Sequence, residues 1–368
     1  MPMAVTSTGR VSAGVVQRPE ATTGFIKTLA AGARGVASNT VGAVMTLLLV
    51  CAFPLPLCVL FIPTLRRRIV RSTIFPGAPP RIFPFVSPHG SSITYFSAGG
   101  DRFEVNDKER DGLLITPARA ARQKNHERGE TRPLVYIMHA NAMGYEAYST
   151  LIHHLYESGY DVAAYNNRGY GTRTGSCSAQ TLAHDAAAFF DAVQLLTKKP
   201  TPICVYGHSL GGVTALHMAQ HAAKDRSLHI EIILDRTFGD IHTAVQTMLT
   251  FVTKPYVGRV GSAVLRAFAA CLLAKESHAL EPLHTQRLAS ALQSDNPNVA
   301  LKCLVSTPND PFFSDFVAPG TAHHDLRLHR PPGDPRLHTD CWSWEFLEAI
   351  DAALPARHQA PDLKPTPR

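Results

Sequence analysis

The run Gly207-His208-Ser209-Leu210-Gly211-Gly212 constrains this 368-residue chain more than any other stretch. Before it, TPICVYG (201–207) reads as a buried strand; after it, LGGVTALHMAQHAAK (210–224) has apolar residues at helical spacing. A G-x-S-x-G pattern between a strand and a helix requires a sharp turn at the serine. That turn puts strained backbone angles on Ser209. Gly207 and Gly211 leave room where a Cβ would strike the neighbouring chain. A serine hydroxyl is a poor nucleophile unless it projects toward a base. The N–H groups opening the helix point at the same spot and favour an oxyanion. Taken bare, the pattern occurs often by chance; its strand–turn–helix setting makes it specific.

The rest of the chain alternates in the same way. ITYFSA (93–98) and GLLITP (112–117) look like antiparallel opening strands, and a polar insertion (118–132) follows. PLVYIMHA (133–140), YDVAAYNN (160–167), LHIEIILD (228–235), LKCLVSTP (301–308) and DLRLHR (325–330) read as further strands. Helices are expected over 146–159, 180–199, most of 240–295 and 341–354. Strand and helix at βα spacing imply a mainly parallel sheet with helices on both faces.

The form GHSLGG resembles the nucleophile elbow of α/β-hydrolase lipases, esterases and thioesterases. His139-Ala140-Asn141-Ala142, after the strand PLVYIM, resembles the His-Gly-Asn-Ala loop of membrane-associated α/β-hydrolase-domain proteins that act on lipids and acyl-proteins. Asn167-Arg168-Gly169-Tyr170-Gly171 resembles the Arg-Gly-Tyr-Gly loop of the same family. It is also similar to lipase-like proteins of intracellular bacterial parasites, where N-x-R-G follows an H-x-N-A loop. The resemblance covers roughly residues 92–353. It implies an α/β-hydrolase fold with a mainly parallel eight-stranded sheet. It implies that the backbone N–H groups of Leu210 and Asn141 form the oxyanion hole, and that Arg168 is structural, held by an acid such as Asp185. Ala140 departs from the family's glycine, which puts the backbone geometry of that loop in question. The bland alternative for residues 139–142 is a strand-end turn.

In this fold the acid and then the histidine follow the serine. Asp310, just past the strand LKCLVSTP, is the first choice of acid, with Asp235 and Asp315 as competitors. Its role is to orient the imidazole and stabilise imidazolium. His338, directly before the closing helix, is the expected base; His323, His324 and His329 are its rivals.

A second feature stands apart from this domain. Val41–Pro63 (VGAVMTLLLVCAFPLPLCVLFIP) is uncharged and mostly apolar, and a spanning helix needs about 20 such residues. Arg66, Arg67, Arg68 and Arg71 follow it, against Lys27 and Arg34 before it. Positive-inside counting therefore puts the catalytic domain on the cytoplasmic side. Pro54 and Pro56 fit either a kinked spanning helix or a re-entrant hairpin. The alternative is a buried core element. The expected organisation is a poorly ordered region over 1–34, a membrane-associated segment over 35–71, a Pro-rich linker over 72–91, the hydrolase domain over 92–354 and a loose tail over 355–368. Residues 238–297 stand where this fold places a cap or lid.

The formal net charge of +7 gathers beside the apolar run and within 118–132, so an anionic lipid surface is a simpler partner than nucleic acid. No nucleic-acid module is visible. Seven cysteines without C-x-x-C spacing read as free thiols. His217 and His221 lack the glutamate of a zinc-binding H-E-x-x-H helix, and no phosphate-cradling loop is present. No metal or organic cofactor is implied. The expected activity is hydrolysis of an acyl-ester or thioester, lipid or acyl-protein, at a membrane. The alternatives are an acyltransferase or peptidase of the same fold, or a non-catalytic membrane-anchored interaction protein.

Overall fold

The chain divides into two units, Met1–Pro63 and Thr64–Arg368. The computed structural model describes residues 62–75, 77, 87–99, 102–106, 109–118, 132–197, 202–306, 322–326, 336–339 and 343–354. The apolar run from 41 to 61, Asp310, Asp315 and His329 lie outside the described residues. No helix among the described residues is long and apolar enough to cross a membrane.

In chain order the described strands are β1 (Ser91–Gly99), β2 (Arg102–Val105), β3 (Gly112–Pro117), β4 (Leu134–Met138), β5 (Asp161–Tyr165), β6 (Ile203–His208), β7 (Ile230–Asp235), β8 (Val299–Ser306) and β9 (Ala322–Leu326). The helices are α1 (Pro63–Ile74), α2 (Ser149–Glu157), α3 (Ala179–Thr197), α4 (Leu210–Ala222), α5 (Ile241–Lys275), α6 (Ser277–Leu280), α7 (Thr285–Asp295), α8 (Arg336–Thr339) and α9 (Trp344–Ala353). Among the described residues one nine-stranded sheet runs in the order β2-β1-β3-β5-β4-β6-β7-β8-β9. It opens antiparallel and is parallel from β5 to β9.

Strand alternation decides which side each residue packs on. Leu134, Tyr136 and Met138 of β4 join one core with Phe189 of α3 and Leu216 of α4. Val135 and Ile137 join the other with Leu151 of α2 and Phe346 of α9. Helices therefore cover both faces, as a buried parallel sheet requires.

Three details add to the expectations. Among the described residues the sheet gains a short edge strand beyond the eight expected, where Arg102–Val105 turns back on β1. His338, directly before the closing helix as expected, sits in a one-turn helix of its own, α8. The basic stretch after the apolar run is also more than a flank. It forms α1, which buries Val70 and Ile74. From α1, Arg66 Nε pairs with the buried Glu276 at 2.5 Å and Arg71 Nε donates to the Cys177 carbonyl at 2.7 Å. Residues 241–295 are mostly helical, as expected; their 3-10 turn Glu281–Leu283 is tied to α4 where the Pro282 carbonyl accepts from His217 Nε2 at 2.8 Å.

Candidate active site

β4, β6, β7 and β8 are parallel neighbours, so their C-terminal ends open on one edge of the sheet. Met138 pairs in register with Gly207. Asn141 and Leu210 each lie three residues beyond that rung, on adjacent strand ends. β8 ends at Ser306, so the chain leaves the same edge four residues before Asp310.

Ser209 occupies the junction of β6 and α4 with φ 54° and ψ −117°. A non-glycine residue held there costs on the order of 1–3 kcal/mol, and the packing around it must hold it in place. Its N–H donates to the Asp235 carbonyl at 2.9 Å, and its carbonyl accepts from Gly212 N–H at 3.0 Å. A Cβ on Gly207 would meet the Gly211 carbonyl, and one on Gly211 would meet the Met138 carbonyl of β4. The third glycine is also required: a Cβ on Gly212 would strike the Thr237 side chain.

His208, fully buried, carries a network that sequence reading missed. The Ala140 N–H donates to Tyr148 Oη at 2.9 Å; Tyr148 Oη lies 2.8 Å from His208 Nδ1; His208 Nε2 lies 2.7 Å from the His338 carbonyl. An amide can only donate and a carbonyl can only accept, so Tyr148 Oη accepts from the Ala140 N–H and His208 Nε2 donates to the His338 carbonyl. The loop after β4, the turn at Ser209 and the backbone of His338 are thus one hydrogen-bonded unit. The His208 and His338 rings lie 5.3 Å apart. The structure therefore brings His338 beside the elbow. Its rivals His323 and His324 lie within β9.

The loop after β4 is held from below and from above. His139 is buried, with Nδ1 donating to the Ala140 carbonyl at 2.9 Å and Nε2 accepting from Asn167 N–H at 3.1 Å. Burial lowers its pKa to about 4, so it stays neutral. The Asn141 side chain accepts from Tyr170 Oη at 2.6 Å and from Ala142 N–H at 3.0 Å, and donates to the Ile74 carbonyl of α1 at 2.7 Å. Positive φ falls on Ala142 (57°) and not on Ala140, so alanine in place of glycine at 140 brings no backbone strain.

Asp235 is engaged elsewhere. Arg236 grips its two oxygens at 2.7 and 2.8 Å, and Tyr206 Oη donates to it at 2.5 Å, all in full burial. Both of its carboxylate oxygens are thus already bonded, to Arg236 and to Tyr206. Arg168 pairs with Asp185 at 2.9 Å, as its structural role implies, and Arg173 joins them at 2.9 Å. His217 is half-buried and bonded to the Pro282 carbonyl, and His221 lies 2.8 Å from Asp191, so each has a partner that is not a metal. Cys177 and Cys204 are buried free thiols, and burial pushes Cys177 up to about 12. A cavity of about 60 Å³ lies between Ala223, Leu228 and Asn298, on the sheet edge opposite Ser209. It is too small for a lipid.

A family model described as serine aminopeptidase, S33, matches residues 129–324. A multifunctional-autoprocessing repeats-in-toxin of Vibrio cholerae serotype O1 is 29% identical over 140 residues, 37% of this chain and 3% of that protein. The lysophosphatidylserine lipase ABHD12 of Gallus gallus is 28% identical over 115 residues, 31% of this chain and 30% of the lipase. The chain thus spans well under half the length of these relatives. Among solved structures, an α/β-hydrolase from Vibrio vulnificus matches at TM-score 0.45 and 16% identity, over 72% of this chain and 82% of that one. A Pyrococcus furiosus esterase matches at TM-score 0.45 and 14% identity, over 75% of this chain and 97% of that one.

Proposed function

The chain belongs to the family described as serine aminopeptidase, S33, and so to the serine hydrolases of α/β-hydrolase fold; from that premise we propose that it cleaves a carboxylic ester or thioester at a membrane surface. The observation that carries this reading is Ser209, held at φ 54° and ψ −117° between β6 and α4. Ser209 Oγ attacks the substrate carbonyl while His338 takes its proton. The oxyanion accepts from the backbone N–H groups of Leu210 and Asn141. The intermediate collapses, and the leaving alcohol or thiol takes the proton from His338. Water, activated by His338, then hydrolyses the acyl-enzyme and frees Ser209. Asp310 orients His338 throughout.

A lipid or acyl-protein substrate is favoured by the uncharged run from Val41 to Pro63 and by the lipase among the relatives. On this reading the protein is membrane-associated, with its catalytic domain facing the cytoplasm. The family description favours one second reading, a peptidase.

The test is labelling by a fluorophosphonate probe in membrane and soluble fractions, comparing wild type with Ser209→Ala. Labelling is expected in the membrane fraction and is lost in the variant. Ester turnover falls by about 10⁴-fold or more, as for other serine nucleophiles. Folded protein that takes no label would sink the reading. Turnover of aminoacyl anilides with acyl esters untouched would replace it with the peptidase.

A further inference from the structure

Among residues not used by the serine site, three donors meet where α5 and α7 begin. Asp240 caps α5: its Oδ2 accepts from the Thr243 N–H at 2.9 Å and the Thr243 hydroxyl at 3.1 Å. Its Oδ1 remains on the other side, 3.1 Å from His284 Nδ1. His242 stands in the first turn of α5, and His284 is the residue before α7. Their rings face each other at 5.9 Å between centroids, with planes only 13° apart. One ligand atom from each of the three residues can be chosen so that all lie within 4.8 Å of one another, and all three residues are half-buried.

An acid–histidine pair accounts for Asp240 and His284. It does not call for a second imidazole stacked on the first. A shared cation accounts for all three groups. Two imidazoles and one carboxylate suit a borderline divalent ion, zinc above all. Bonds of about 2.0–2.1 Å in a tetrahedral set put ligand atoms roughly 3.4 Å apart, so the rings need to close by about an ångström. The backbone is already fixed around them. His284 N–H donates to the Glu281 carbonyl at 3.1 Å, and Gln286 N–H donates to the Gly239 carbonyl at 3.3 Å.

We propose that Asp240, His242 and His284 bind one divalent transition-metal ion of the zinc class, with water completing the shell, and that the ion staples the start of α5 to the start of α7. Its two roots bracket α5 and α6, so binding fixes where that helical stretch begins and ends. The proposal does not depend on Ser209 or on any reading of substrate.

The test uses the full chain, free of any histidine tag and stripped with a chelator. Zinc is titrated calorimetrically, and cobalt is added separately as a spectroscopic probe. One equivalent of zinc is expected to bind and to raise the melting temperature, and cobalt is expected to give visible bands of a nitrogen–oxygen site. His242→Ala and His284→Ala should each weaken zinc by at least about tenfold, since even outer-shell changes cost that much. Ser209→Ala should bind as wild type does. Absence of saturable zinc uptake and of cobalt bands in the wild type overturns the proposal. So does undiminished uptake in a folded His242→Ala/His284→Ala double variant. If a variant does not fold, the wild-type cobalt spectrum decides alone.

Discussion

The Tyr148 hydroxyl accepts from the Ala140 N–H and lies 2.8 Å from His208 Nδ1, so it ties two parts of the site together. Tyr148→Phe keeps the ring but removes both of these hydrogen bonds. That should cost about 1–3 kcal/mol in urea unfolding and slow turnover without altering secondary structure. A change within about 0.5 kcal/mol would mean the network carries no weight. His139 makes a separate prediction. It is held neutral with a folded pKa near 4, while an unfolded histidine titrates near 6.5. The unfolded chain therefore binds the extra proton first as pH falls. Stability is full above about pH 6.5 and declines toward pH 4, by about 3 kcal/mol from this residue. His139→Gln should flatten that part of the profile; an unchanged slope would assign the acid sensitivity elsewhere. At this scale the elbow was readable because its glycines are local to Ser209. Tyr148 was not: it sits 60 residues from His208 and read as an ordinary apolar position of a helix.

Elements follow the same division between local and distant causes. GLLITP was recognised with its observed limits because all six residues are buried and the apolar run is unbroken. β2 escaped notice because only Phe103 of RFEV turns inward, so its four residues show no clear alternation. α8 is a single turn, too short for any helical period to register. α1 was mistaken for a mere flank because its arginines suggest solvent, and only Val70 and Ile74 betray a packed side. The tightest junction is α4 against β4. Gly211→Ala would drive a methyl onto the Met138 backbone carbonyl, which has no room to yield. We expect misfolding, or a loss of about 3 kcal/mol in thermal or urea unfolding. A soluble variant within about 0.5 kcal/mol of wild type would show that the strand–helix junction relaxes.

At the scale of the molecule, α1 is tied to three distant parts of the chain: to Glu276 after α5, to the Cys177 backbone, and to Asn141 in the loop after β4. Arg67, 72% exposed although 3.7 Å from Glu276, and Arg68 present their charge to the solvent. Replacing both by serine should weaken binding to vesicles containing anionic lipid by roughly 30-fold, at about 1 kcal/mol for each charge. Binding that ignores both the substitutions and added salt would assign attachment to the apolar run alone. The Ile74 carbonyl, which receives the Asn141 amide, has a practical corollary. A shortened protein begun at Ser91 to shed the apolar run would keep Ser209, Asp310 and His338 yet lose that carbonyl. Its weakened activity would then record a loop set adrift and not a missing membrane. A shortened enzyme meant to report on chemistry should begin before Pro63.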